Sequence, residues 1–225
     1  MDDAYINIRT SDPSEIEKES FAIISSELEH MQVLINGDIP VESAGERNKI
    51  TQVIKRCIHT TADFDYAKTM YFTDGAVGVL EGLIRGGAVI VTDTNMALAG
   101  INKRELAKYG CSAKCYMSDE DVVREAAARN MTRAAVSMER AMKSYGDVIF
   151  VIGNAPTALI ALREHYDSGD YVPSFVIGVP VGFVNVTASK ELIMGTDIPC
   201  IVNTGRKGGS NVAAAVMNAV LYGMR

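Results

Sequence analysis

Among the three histidines, His59 has neighbours that point to chemistry. His30 and His165 lie among polar residues near expected helix ends and read as solvated surface groups. His59 closes an expected helix that ends near it, on the polar side with Gln52 and Lys55, away from the Ile50/Val53/Cys57 stripe. A helix C-terminus favours the imidazolium, so His59 is suited to donate a proton; a plain capping histidine is the other reading of that position. Thr60, Thr61, Asp63 and Asp65 follow and place hydroxyls and carboxylates beside it.

Four further stretches carry groups that could hold a ligand. Thr92-Asp93-Thr94-Asn95-Met96 gathers hydroxyl, carboxylate and amide groups. Asp93 either serves a ligand there or caps a following turn, and Met96 stands apart from methionines that read as core fillers. Gly153-Asn154-Ala155-Pro156-Thr157 presents N–H groups at an expected helix start, without the G-x-G-x-x-G spacing of a dinucleotide site. Gly178-Val179-Pro180-Val181-Gly182-Phe183-Val184-Asn185 is apolar and leads to Ser189-Lys190-Glu191; it is a wall for a large flat ligand or a buried connection. Gly205-Arg206-Lys207-Gly208-Gly209-Ser210 joins two cations to glycines that permit close backbone approach. That composition suits a carboxylate or phosphate, though its spacing is not that of a Walker A loop.

Composition limits what these groups can act on. Twenty-two Lys and Arg against twenty-eight Asp and Glu give a net charge of −6 with no basic run, which argues against nucleic acid as a partner. An anionic ligand would need local compensation, for which Arg206, Lys207, Lys190 and Arg133 are available. The acidic start has no apolar segment, and the apolar stretch 175–184 is broken by Gly178, Pro180 and Gly182, so no membrane association is expected. Four scattered cysteines read as free thiols of a cytoplasmic protein. Neither Cys111-x3-Cys115 nor Cys57-x-His59 has the second ligand pair a metal needs, and no G-x-S-x-G elbow marks a covalent nucleophile.

The elements that must position these loops can be read from periodicity. Asp12-Pro13-Ser14-Glu15 predicts a helix start, with Phe21, Ile24 and Leu28 on its buried face. After the turn-rich Asn36-Gly37-Asp38-Ile39-Pro40, Ser43 and Glu46 predict a second helix with a capping box. Apolar runs at 69–72, 88–91, 112–116, 148–152, 175–177 and 200–202 are expected strands. They are separated by expected helices at 75–86, 119–129, 132–144, 156–167 and 211–223, with Asp74, Ser118, Thr132, Pro156 and Ser210 at the starts. Strands alternating with helices imply parallel crossovers, so residues 1–225 are expected to form one α/β domain with a mostly parallel, Rossmann-like sheet flanked by helices. Such sheets bind ligands beyond the carboxyl ends of their strands, where the candidate loops fall.

Taken together, Ile16-Glu17-x-x-Ser20-Phe21, Ile58-His59-Thr60-Thr61-Ala62-Asp63, the Thr92–Met96 and Gly153–Leu159 stretches, 176–184, Ser189-Lys190-Glu191 and 205–210 resemble the precorrin-8X methylmutase family of corrin biosynthesis. The resemblance covers nearly the whole chain and departs at Asn185 and Val186, where the family more often has small residues. It implies an isomerase that moves a methyl group from C-11 to C-12 of precorrin-8X or cobalt-precorrin-8, without an external cofactor. It further implies a homodimer with its sites near the subunit interface. By the same resemblance His59 is the general acid, Ser20 is an active-site residue and Arg133 pairs with substrate carboxylates. Asp93, Asn95, Met96, Asn154, Gly182, Lys190, Arg206, Lys207, Gly208 and Ser210 are the remaining expected contacts with the tetrapyrrole polycarboxylate. The alternatives are a non-catalytic corrin carrier and, against the missing glycine fingerprint, a nicotinamide-dependent oxidoreductase.

Overall fold

A computed structural model describes residues 12–31 and 44–225. The acidic start, the turn at 36–40 and the Ser43 cap lie outside the described residues. Six strands form one sheet: β1 (Met70–Phe72), β2 (Val89–Thr92), β3 (Ser112–Lys114), β4 (Val148–Ile152), β5 (Phe175–Gly178) and β6 (Cys200–Asn203). Their order is β1-β6-β5-β4-β2-β3, parallel throughout except β1, which runs antiparallel to β6 with Tyr71 opposite Val202. The expected mostly parallel α/β sheet is therefore observed.

The central strands are apolar on both faces, as a sheet covered on both sides requires. Along β4 the side chains alternate: Ile149 and Val151 join one core, while Val148, Phe150 and Ile152 join the other. The first core is covered by α2 (Ala44–Thr61), α4 (Ala76–Arg85) and α11 (Ser210–Gly223), and receives Ile101 and Leu106 from beside and within the short helices α5 (Asn95–Gly100) and α6 (Lys103–Ala107). The second is covered by α7 (Glu120–Ala128), α8 (Arg133–Ser144), α9 (Pro156–Ser168) and α10 (Val186–Met194). α1 (Pro13–His30) packs on α2 through the buried Ile24 and Leu28, and α3 (Tyr66–Thr69) leads into β1.

Several local expectations are corrected. Asp74 does not cap α4; Gly75, in the left-handed region at φ 62°, stands at that position, and Asp119 rather than Ser118 precedes α7. α11 starts one residue early, so Ser210 is its first residue and Gly209 its N-cap. α10 was not among the expected helices; Asn185 is its N-cap at φ 60°, a conformation that asparagine tolerates better than most residues. Thr132 caps α8 as expected, its hydroxyl accepting from the Ala135 N–H at 3.2 Å.

Candidate active site at the carboxyl edge

The chain leaves β2 outward to β3 and then returns to β4 on the far side of β2, so strand order reverses between β2 and β4. A crevice is expected at such a reversal, beyond the carboxyl ends of the two strands. Here Asp93 spans it. Its fully buried carboxylate accepts three backbone N–H groups of the loop after β4: Gly153 at 2.9 Å, Asn154 at 2.7 Å and Ala155 at 2.6 Å. Burial pushes the Asp93 carboxyl above the usual range, against the pull of these donors. Asp93 is thus neither the expected ligand contact nor the cap of its own turn; Thr94 is that cap, through the Ala97 N–H at 3.0 Å.

The loop before α11 closes onto the same place. The Thr94 hydroxyl meets that of Ser210 at 2.7 Å, so Ser210 is engaged within the protein and nearly buried. A Cβ at Gly153 would sit 2.7 Å from the Ser210 Cα. Gly153→Ala is therefore expected to force the two loops apart and cost about 1–3 kcal/mol, measurable as a lower denaturation midpoint. An unchanged midpoint would show that the loops yield freely.

Beyond Pro180 the apolar loop is not a buried connection. Phe183 is 84% exposed, and Val181 and Val184 are exposed beside it, while the Arg206 guanidinium lies 5.4 Å over the Phe183 ring. Gly182 donates its N–H to the Arg206 carbonyl at 3.1 Å, and Gly208 packs so closely on Val179 that a Cβ there would strike the Val179 carbonyl oxygen. Met96 in the first turn of α5 and Asn154 in the loop after β4 are exposed, and the Asn95 amide donates to the Ser118 hydroxyl at 3.1 Å.

The expected cluster of four cations is not assembled. Lys207 lies between Asp63 and Asp65 at 2.5 and 2.6 Å, which raises its own pKa while holding the Asp63 carboxyl below the usual range. Lys190 is 1% exposed and turns inward. Arg206 and Arg133 remain exposed with no carboxylate partner among the described residues; Arg133, the first residue of α8, donates to the Met117 carbonyl at 3.2 Å. The two arginines stand on different elements, Arg206 in the loop after β6 and Arg133 at the start of α8, beside the segment that follows β3.

His59 is exposed in the last turn of α2 and stacks on Phe21 of α1, ring centroids 5.1 Å apart and planes 15° from parallel. Ser20, Ile23, Ile58, Ala62 and Phe64 line the same open groove of about 280 Å³, so Ser20 and His59 are brought together. The Ser20 hydroxyl donates to the Ile16 carbonyl at 2.8 Å. The pairing of Asp63 and Asp65 with Lys207 ties this groove to the loop before α11, at the same end of the sheet as the exposed apolar loop. Phe21 was expected in the core; its half-exposed ring contacts His59, and the Arg56 guanidinium lies 4.6 Å from its centroid. Only the aromatic type of residue 21 hinted at this, because contacts between helices leave no spacing signature.

The strand order and its loops define a doubly wound α/β protein whose carboxyl edge carries an exposed apolar loop and an exposed histidine. The family model of precorrin-8X methylmutase matches residues 15–223. Cobalt-precorrin-8 methylmutase of Salmonella typhimurium is 43% identical over 95% of this chain and 96% of its own length. Precorrin-8X methylmutase of Pseudomonas aeruginosa is 33% identical over 79% of this chain and 86% of its own. A crystal structure of precorrin-8X methylmutase from Thermus thermophilus superposes with a TM-score of 0.76 at 35% identity, covering 92% of this chain and 96% of that one. The chain belongs to the precorrin-8X methylmutase family, and it is an isomerase of the methylmutase kind. Among the described residues no helix is long and apolar enough to cross a membrane.

Proposed function

We propose that this chain converts precorrin-8X or cobalt-precorrin-8 to hydrogenobyrinic or cobyrinic acid by moving a methyl group from C-11 to C-12, with His59 as the general acid. The observation that carries this reading is the exposed His59 imidazole at a helix C-terminus, stacked on Phe21 and opening into a groove that Asp63, Asp65 and Lys207 tie to the carboxyl edge of the sheet. A proton delivered to a ring nitrogen makes the macrocycle an electron sink for the departing methyl. The shift is internal to the substrate and the ring nitrogen returns its proton to His59 as the product tautomer forms, so atoms and electrons balance without a cofactor.

Val181, Phe183, Val184 and Met96 offer the macrocycle an apolar face, with Gly182 letting the wall turn. Asn95, Asn154, Gly208 and Ser20 line its edge. Arg133 and Arg206 pair with peripheral carboxylates, whereas Asp93, Lys190, Lys207 and Ser210 act from behind by shaping the loops. Residues 1–225 act as one domain, two copies assemble with their sites near the interface, and the protein works in the cytoplasm. Sedimentation equilibrium tests the dimer.

Incubation of the purified protein with cobalt-precorrin-8 should yield cobyrinic acid by absorbance and mass; tight binding of the product with no turnover would select a carrier instead. Arg133→Ala is expected to raise KM about 10-fold with kcat nearly unchanged, as loss of one charge-assisted contact requires. An unaltered KM would remove Arg133 from the substrate site.

A further inference from the structure

Lys190 is a buried cation with no carboxylate beside it, an arrangement that burial penalises unless hydrogen bonds compensate. Its ammonium donates to two backbone carbonyls of one loop, Gly205 and Lys207, both at 2.8 Å. The Lys207 carbonyl accepts a second bond, from the Asn203 amide at 2.6 Å. In a trans peptide the N–H points opposite to the C=O, and the described chain has no cis bond. Two carbonyls drawn inward therefore turn the N–H groups of Arg206 and Gly208 outward. Neither N–H has an acceptor among the described residues. Arg206 between them carries the exposed guanidinium over Phe183.

We propose that Lys190 is a positioning residue: its buried ammonium latches the Gly205–Gly209 loop so that the Arg206 and Gly208 N–H groups and the Arg206 guanidinium together face a carboxylate of the substrate. The identity of that substrate rests on the function proposed above; the latch itself does not. Successive N–H groups beside a glycine-rich turn form an anion-binding concavity, and a full positive charge directly behind it strengthens the field.

The latch depends on pH, because burial pulls the Lys190 pKa down to about 8. The other charged and titratable groups that face it from its own helix and from the elements packed on it are few. Glu191 on its own helix is an exposed carboxylate, and on α9 Arg163 pairs with Asp167 while His165 lies against Glu139 and Asp170. On β6 burial pushes the Cys200 thiol up to about 12. Lys207, in the loop itself, is kept charged by Asp63 and Asp65.

Two measurements on the whole protein test this. In the free enzyme, the ¹⁵N amide signals of Arg206 and Gly208 should titrate with a midpoint near 8, and Lys190→Met should abolish that titration while the protein still melts cooperatively. For the ligand, the Kd of cobyrinic acid, an equilibrium quantity separate from the proton transfer of catalysis, should weaken about 10-fold between pH 7 and 9 in the wild type. Lys190→Met should show the weak value at both pH values. If Lys190→Met fails to fold, Lys190→Gln and the wild-type titration carry the same test. Amides that do not titrate, or a Lys190 variant with wild-type affinity and pH dependence, would overturn the latch. A wild type that binds no cobyrinic acid but shows the amide titration would overturn the proposed substrate and leave the latch standing.

Discussion

His59→Ala is expected to cut the rate of cobyrinic acid formation by about 10²–10⁴-fold, the range over which a positioned general acid contributes. The loss should fall on kcat, because the imidazole is one small part of a broad binding surface that includes Phe183, Arg206 and Arg133 on other loops. Folding should be almost unaffected. His59 is exposed, and its stack on Phe21 is a pair of the sort worth about 0.5–1.5 kcal/mol. The variant should bind cobyrinic acid within about threefold of wild type while failing to turn over substrate, a separation that defines a group acting in the transition state. Single-turnover kinetics with absorbance detection measures it directly. A variant that retains the full rate would remove His59 from the chemistry, and Ser20, in the same groove, would be the next residue to examine.

The sequence made some features of this site visible because they are encoded locally. Thr132 capping α8 and Pro156 opening α9 were legible since a cap needs only residues three or four apart. The apolar runs of β4, β5 and β6 were legible because both their faces are buried. α5 and α6, with six and five residues, are too short to show a helical period. α10 was hidden by an apolar Gly/Pro-rich approach and a start at Asn185 with no side-chain cap.

The charges at the site were read least well, for a physical reason. A sequence shows that Lys207 is a cation, but not that Asp63 and Asp65, more than 140 residues earlier, fold against it. It shows Lys190 two residues after an alanine in an apolar context, but not that the side chain turns inward to two carbonyls. Under the proposed function, the local compensation that an anionic substrate requires against a net charge of −6 rests on the two exposed arginines without a carboxylate partner among the described residues, Arg133 and Arg206, rather than on four cations.

Asp93 gives the largest expected effect on the scaffold. Asp93→Ala would leave the N–H groups of Gly153, Asn154 and Ala155 without their acceptor and open a small void at the reversal of strand order. An unsatisfied buried donor costs about 1–3 kcal/mol, but Asn154 is exposed and its N–H can turn to water. A total of about 3–5 kcal/mol follows, which for a chain of this size lowers Tm by about 10 °C. Asp93→Asn should cost less. The amide keeps one oxygen for one side of the loop, and it removes a charge whose burial is itself unfavourable. The two variants thus separate the hydrogen bonds from the charge. Since Asp93 holds the loop after β4 to the one after β2, and Thr94 holds the latter to Ser210, loosening it should also weaken cobyrinic acid binding, even below the melting range and with His59 in place. Urea denaturation at neutral pH reads the first effect and product titration the second. An Asp93→Ala protein that melts within 2 °C of wild type would mean that water replaces the carboxylate at all three donors, and the loops would then be held by the packing of Gly153 on Ser210 and the Thr94–Ser210 hydrogen bond.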